Sequence, residues 1–207
     1  VHGKGTLFTR MPGDENQRFA NLRLLFGIMW THPGSNLLFM GGEFGQTTEW
    51  NIETGLEWHL LQYDGHKGVQ KWVQKLNEIY KKEPALSDKQ FDYQTFEWID
   101  GSDHEQSVVS FLRKGDDEKD TLLIACNFTP IVRQGYKLGV PSEGKWKEVL
   151  NSTDKQFFGD GQESNGVVKA SKEEQHGRPY SLELTLPALG IIVLKQQPDT
   201  LPKNKKS

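Results

Sequence analysis

The chain carries a single cysteine, Cys126, so no disulfide can form within it and a reducing cytoplasm is the expected location. No apolar run approaches the ~18–20 residues that a membrane span needs, and no signal-peptide pattern is present. A membrane partner is therefore not expected. Strong charge of either sign is missing as well. The 25 Lys and Arg nearly balance the 28 Asp and Glu, for a formal net charge of −3, which argues against nucleic acid as the main partner. His32, His59, His66, His104 and His176 show neither an HExxH motif nor paired spacing. Neither a metal site nor a cofactor is expected.

Aromatic and apolar side chains are what the chain has instead. Six Trp, eleven Phe and five Tyr within a hydrophobic content of 35% can furnish a real core. A globule of this size buries roughly 70% of its unfolded surface. Asp14 and Gln17 have the spacing of a capping box, and Phe19, Leu22, Leu25, Phe26, Met29 and Trp30 follow at helical intervals. Leu24 and Ile28 widen that stripe, so the helix requires cover on several sides. Pro33-Gly34 stops it, and Leu37 to Met40 read as a buried strand. After a long loop with a helical turn near Trp58, a second helix is expected over 68–82, with Val69, Trp72, Val73, Leu76, Ile79 and Tyr80 on one stripe. Pro84 ends it.

Beyond Pro84 the period falls to two. Short strands are expected at 96–99, 107–113, 122–128, 136–140, 145–150, 166–170, 182–186 and 191–194, separated by turn-rich segments. That spacing predicts an antiparallel sandwich, with Phe111, Leu123, Ile124, Phe128, Trp146, Val149, Leu184, Leu186, Ile192 and Leu194 in its core. The expected division is 1–84, 85–196 and a disordered tail over 197–207 rich in lysine. The sandwich is expected to fold by itself.

Chemistry concentrates in Leu38-Phe39-Met40-Gly41-Gly42-Glu43-Phe44-Gly45-Gln46, followed by Glu49-Trp50-Asn51. An apolar run there ends in two glycines and then presents a carboxylate, a ring, an amide and an indole. A pyranose offers apolar C–H faces and hydroxyl edges, which such groups match. Glu43, Phe44, Gln46 and Trp50 are thus candidates for a sugar site. The other reading of the same residues is that Phe44 and Trp50 only pack while Glu43 and Gln46 satisfy backbone groups. Cys126 reads as a small buried hydrophobe.

Several dispersed segments resemble the bacterial-type 1,4-α-glucan (glycogen) branching enzymes of the α-amylase superfamily. They are His2-Gly3-Lys4, Arg10 to Asp14, Gln17 to Arg23, Met40 to Gln46, Trp58 to Leu61, Phe96 to Asp100, Asn127-Phe128-Thr129-Pro130 and His176 to Leu182. Gly42 departs from the family, where an amide side chain is common. The resemblance implies an α+β chain: the last helix and strand units of a (β/α)8 barrel, then the all-β antiparallel sandwich of the C-terminal domain. It implies an α-glucan substrate, cleavage of an α-1,4 bond and transfer to a glucan 6-hydroxyl. The family's catalytic carboxylates map upstream of Val1, so no catalytic residue is assigned within 1–207 and the chain alone is expected to be inactive. Upstream barrel residues are its expected partner, and without them the first helix is expected to lack much of its cover, exposing Phe19, Leu22, Phe26, Met29 and Trp30; its start at Val1 suggests a piece of a longer chain. His2 and Lys4 match positions that would flank the site; the other reading is that, so near the first residue given, they fray. Two rivals share parts of this reading. One is a non-catalytic glucan-binding module using Trp98, Trp146, Tyr136 and Tyr180 as a stacking platform; the other is a related debranching or trehalose-releasing hydrolase.

Overall fold

A computed structural model describes residues 3–88 and 90–197. Helix α1 is a short turn, Leu7–Arg10, and α2 runs from Glu15 to Thr31. The capping box at the start of α2 is formed. Asp14 Oδ1 accepts from the Gln17 amide at 2.9 Å, and Gln17 Oε1 accepts from the Asp14 amide at 3.0 Å. Such a cap contributes about 1 kcal/mol. Helix α3 spans Asp64–Lys82, starting four residues earlier than its periodicity suggests, and α4 is Pro84–Ser87. No described helix is long and apolar enough to cross a membrane.

Eight strands follow: β1 Phe96–Asp103, β2 Val108–Arg113, β3 Leu122–Asn127, β4 Arg133–Val140, β5 Lys145–Asn151, β6 Val167–Lys169, β7 Tyr180–Leu186 and β8 Gly190–Gln196. Each coincides with an expected strand. They form a six-stranded antiparallel sheet in the order β1-β2-β3-β8-β5-β6 and a two-stranded sheet of β4 and β7. The tail beyond 197, expected to be disordered, lies outside the described residues.

The large sheet is the middle of three layers. Along β3 and β8, Leu122, Ile124, Cys126, Ile191 and Val193 point to one apolar cluster, and Leu123, Ala125, Ile192 and Leu194 to another. The second cluster is closed by the small sheet, through residues such as Leu138, Val140, Leu182 and Leu184. The first is closed by the helices, through Phe19, Leu22, Phe26, Trp30, Val69, Trp72 and Leu76. This corrects two expectations. Helix α2 is not stripped of cover, because the sandwich itself supplies it: Phe19, Leu22, Phe26 and Trp30 are buried and Met29 is partly so. Nor is every expected core residue internal, since Phe128 sits 44% exposed just past the end of β3.

Polar ties reinforce that contact across residue 84. The Arg23 Nε donates to the Ser152 carbonyl at 2.8 Å, and Arg113 Nη1 donates to the Thr31 carbonyl at 2.8 Å. Lys195 Nζ donates to Glu83 at 2.5 Å. Burial lowers the Arg23 pKa to about 10, partly offset by the Asp160 carboxylate, so the guanidinium stays charged at neutral pH.

The buried strand expected at Leu37 to Met40 does not form. The backbone there joins no ladder, and Leu37, Phe39 and Met40 are 79%, 54% and 52% exposed. A parallel strand needs hydrogen-bonding neighbours, and none of the described residues supplies one.

The closeness of helix and sheet generates a test. A Cβ on Gly27 of α2 would fall 2.5 Å from Ile191 Cγ2 and 3.2 Å from the Trp72 ring. Alanine would gain ~1 kcal/mol in helix propensity, but overpacking a rigid β-branched neighbour costs up to about 3 kcal/mol. Gly27→Ala should therefore destabilise the chain by about 1–2 kcal/mol in urea unfolding; an increase in stability would contradict the packing described.

Candidate functional site

The segment after Leu37–Met40 folds back on itself. Gly41 and Gly45 adopt left-handed backbone, at φ 82° and 70°, on either side of a single helical turn, Gly42–Phe44. At Gly41 this requires glycine, because a Cβ would lie 2.6–2.9 Å from the Gln46 side chain. The turn is held from below. Buried His66 on α3 donates from Nδ1 to the Phe44 carbonyl, 2.8 Å away, and its ring packs against Phe8 and Phe19.

Beside the turn lies a pocket of about 280 Å³, lined among others by Phe8, Arg10, Leu22, Phe39, Met40, Gln46, Thr48, Glu49 and Trp50. Phe39 and Trp50 meet edge to face, with centroids 5.6 Å apart and planes at 82°. Glu49 Oε2 accepts from the Gly3 amide at 2.6 Å. The wall thus offers an indole, a phenyl ring, an arginine, a carboxylate and an amide, a set suited to a polyhydroxyl ligand. Among the described residues Glu49 is the one carboxylate on it. Retaining glycosyl transfer needs two, about 5–5.5 Å apart, so this wall can bind a sugar but does not itself hold the catalytic pair.

The candidate residues divide. Gln46 and Trp50 line the pocket. Gln46 also uses both ends of its amide internally: Nε2 donates to the Thr48 carbonyl at 3.0 Å and Oε1 accepts from the Glu57 amide at 3.1 Å. Phe44 is fully buried and packs on Trp58 with centroids 5.0 Å apart. Glu43 is half-buried on the turn and is not among the lining residues. Lys4 is exposed. His2 lies outside the described residues. Among the described residues no group of three or more His, Cys, Asp or Glu is arranged to hold a metal.

Sequence reasoning missed two residues that shape this wall. One is His66. The other is Glu57, whose Oε2 accepts from the Thr47 amide, the Thr47 hydroxyl and the Thr48 amide, each at 2.9 Å. Burial pushes the Glu57 carboxyl upward, but these hydrogen bonds from Thr48 and Thr47 outweigh it and hold the group below its usual range.

Elsewhere the motifs are structural. Asn127 donates to the Ile131 and Pro187 carbonyls at 2.8 and 3.0 Å and accepts from Thr129, which brackets a turn. The segment around His176 is a turn closed by a bridge between Gln175 and Arg178. Cys126 is fully buried, and burial raises its thiol pKa, as befits an inert hydrophobe. The four aromatics considered as a platform do not share a surface: Trp146 and Tyr136 are buried at 0% and 9% exposure, whereas Trp98 is 50% exposed.

Residues 98–197 match the α-amylase C-terminal all-β domain. Among solved structures, an apo pullulanase from Paenibacillus barengoltzii superposes with a TM-score of 0.61 at 20% identity, over 90% of this chain and 26% of that one. The α-amylase from H. orenii gives 0.51 at 19% identity, over 89% of this chain and 36% of that one. At those identities the likeness concerns the fold.

The relationship then narrows to bacterial 1,4-α-glucan branching enzymes. The chain is 53% identical over 95% of its length to the branching enzyme GlgB of Aquifex aeolicus and 50% identical over 96% to that of Rubrobacter xylanophilus. It spans 31% and 27% of the length of those relatives.

Two outcomes test the site geometry. His66→Phe keeps an aromatic ring in place but strands the buried Phe44 carbonyl, which should cost about 1–3 kcal/mol in urea unfolding. The Glu57 clamp should respond to acid. A carboxylate depressed in the folded state stabilises above its unfolded pKa and loses that contribution as pH falls through the lower folded value. Amide exchange at Thr47 and Thr48 should therefore be slow at neutral pH and lose protection only well into the acid range, below the ordinary Glu titration. Exchange that is equally protected in Glu57→Gln would contradict this.

Proposed function

We propose that the chain is the C-terminal part of a glycogen-type branching enzyme, an α-glucan transferase. In this reading the complete enzyme cleaves an α-1,4 bond, retains the chain as a covalent glycosyl intermediate and passes it to a glucan 6-hydroxyl. The observation that carries it is identity of 53% across 95% of the chain to a branching enzyme. Residues 1–84 are the end of the catalytic barrel, 85–196 the β-domain and 197–207 a tail. The exposed Leu37, Phe39 and Met40 then face the remainder of the barrel, whose neighbouring strand would complete the ladder missing at 37–40. Glu43, Phe44, Gln46, Trp50 and Lys4 lie on the substrate side, with Gln46 and Trp50 on the pocket wall. A sole, deeply buried cysteine supports a cytoplasmic location.

The catalytic carboxylates belong to the rest of the barrel, so the chain by itself is inactive. Incubated with iodine-stained amylose, the 207-residue chain should leave the absorbance unchanged. The complete enzyme should lower it while creating α-1,6 linkages visible by proton NMR. Activity in the chain alone that survives repurification and disappears in Glu43→Gln would overturn this assignment.

A further inference from the structure

We propose that Glu57, which does not line the pocket, is a positioning residue for glucan binding: it clamps the loop that presents Glu49 and Trp50 to the substrate. The proposal rests on the glucan-site reading above and adds to it a residue with no place in the family resemblance.

The clamp is a closed circuit among four residues. Glu57 Oε2 takes the Thr47 amide, the Thr47 hydroxyl and the Thr48 amide at 2.9 Å each. The Glu57 amide donates back to Gln46 Oε1 at 3.1 Å, and Gln46 Nε2 donates onward to the Thr48 carbonyl at 3.0 Å. The base of the loop is thereby tied at both ends, from Gln46–Thr48 on one side and Glu57 on the other. Its tip, Asn51 to Gly55, is exposed. The next residues after the tied base are Glu49 and Trp50, both on the pocket wall. Their orientation is therefore set one and two residues from the clamp.

A carboxylate suits this place because one oxygen serves three donors. Charge-assisted hydrogen bonds are roughly twice as strong as neutral ones, and a side-chain amide would bring its own N–H donors toward a cluster of donors. Holding a binding loop in its bound shape lowers the ordering cost of association. Loss of the clamp should then weaken substrate binding and leave bond cleavage, performed by groups elsewhere in the barrel, largely untouched.

The test uses the complete enzyme. Glu57→Gln should raise KM for amylose by about fivefold or more while kcat stays within about twofold. Thr47→Val, which removes one of the three donors, should raise KM less. The double variant should be no worse than Glu57→Gln alone, because both changes act on one network. A wild-type enzyme that branches glucan normally, with KM unmoved in Glu57→Gln, would overturn the clamp. If Glu57→Gln does not fold, Thr47→Val decides: an unchanged KM there overturns it equally. An equal fall in kcat and rise in thermal sensitivity would show only a structural role and would also overturn it. Absence of branching in the wild type would instead sink the parent reading.

Discussion

A sheet whose central strands are apolar on both faces has to be covered twice, and most of this structure follows from that. In β3 and β8 successive residues alternate between two clusters without a polar position in the Leu122–Cys126 and Ile191–Leu194 runs. Fully burying one aliphatic side chain contributes about 1.5–3 kcal/mol, while a whole domain is stable by only about 5–15 kcal/mol. Exposing the helix-facing set of Leu122, Ile124, Ile191 and Val193 would consume that margin. Helix α2 meets the requirement by approaching so closely that position 27 has no room for a methyl group. The helix in turn, apolar around most of its circumference, needs both the sheet and α3.

Local signals in the sequence were enough for elements governed by local physics. The Asp14–Gln17 cap, the stripe of α3 and all eight strands follow from capping chemistry and periodicity, which operate within a few residues. What lay beyond reach was pairing. Leu122–Cys126 and Leu37–Met40 look alike as continuous apolar runs, yet one is a central strand and the other is exposed. The difference is that β2 and β8 flank the first, whereas none of the described residues forms a ladder with the second. The unbroken apolar character of β3 and β8 did hold a clue. An ordinary sandwich strand alternates, and a run without polar positions signals burial on both faces, hence a third layer.

The site shows the same division. Residue types in the Gly41–Trp50 stretch pointed to groups suited to a polyhydroxyl ligand, and of these Gln46 and Trp50 line the pocket. Type could not tell which carboxylate faces inward. Two left-handed glycines wrap the chain so that Glu49, rather than Glu43, reaches the pocket. Glu57 was illegible for a different reason: it acts on a segment ten residues earlier, and only the return of the loop brings them together.

The two requirements, covering the sheet and shaping the pocket, meet in the same side chains. Leu22 and Phe8 line the pocket and also belong to the cluster that covers β3 and β8. Close-packed interiors transmit displacement instead of absorbing it. A shift of α2 away from Ile191 would therefore move one wall of the pocket, although no strand residue touches that pocket. The sheet thereby fixes the position of the helix on which that wall of the pocket is built.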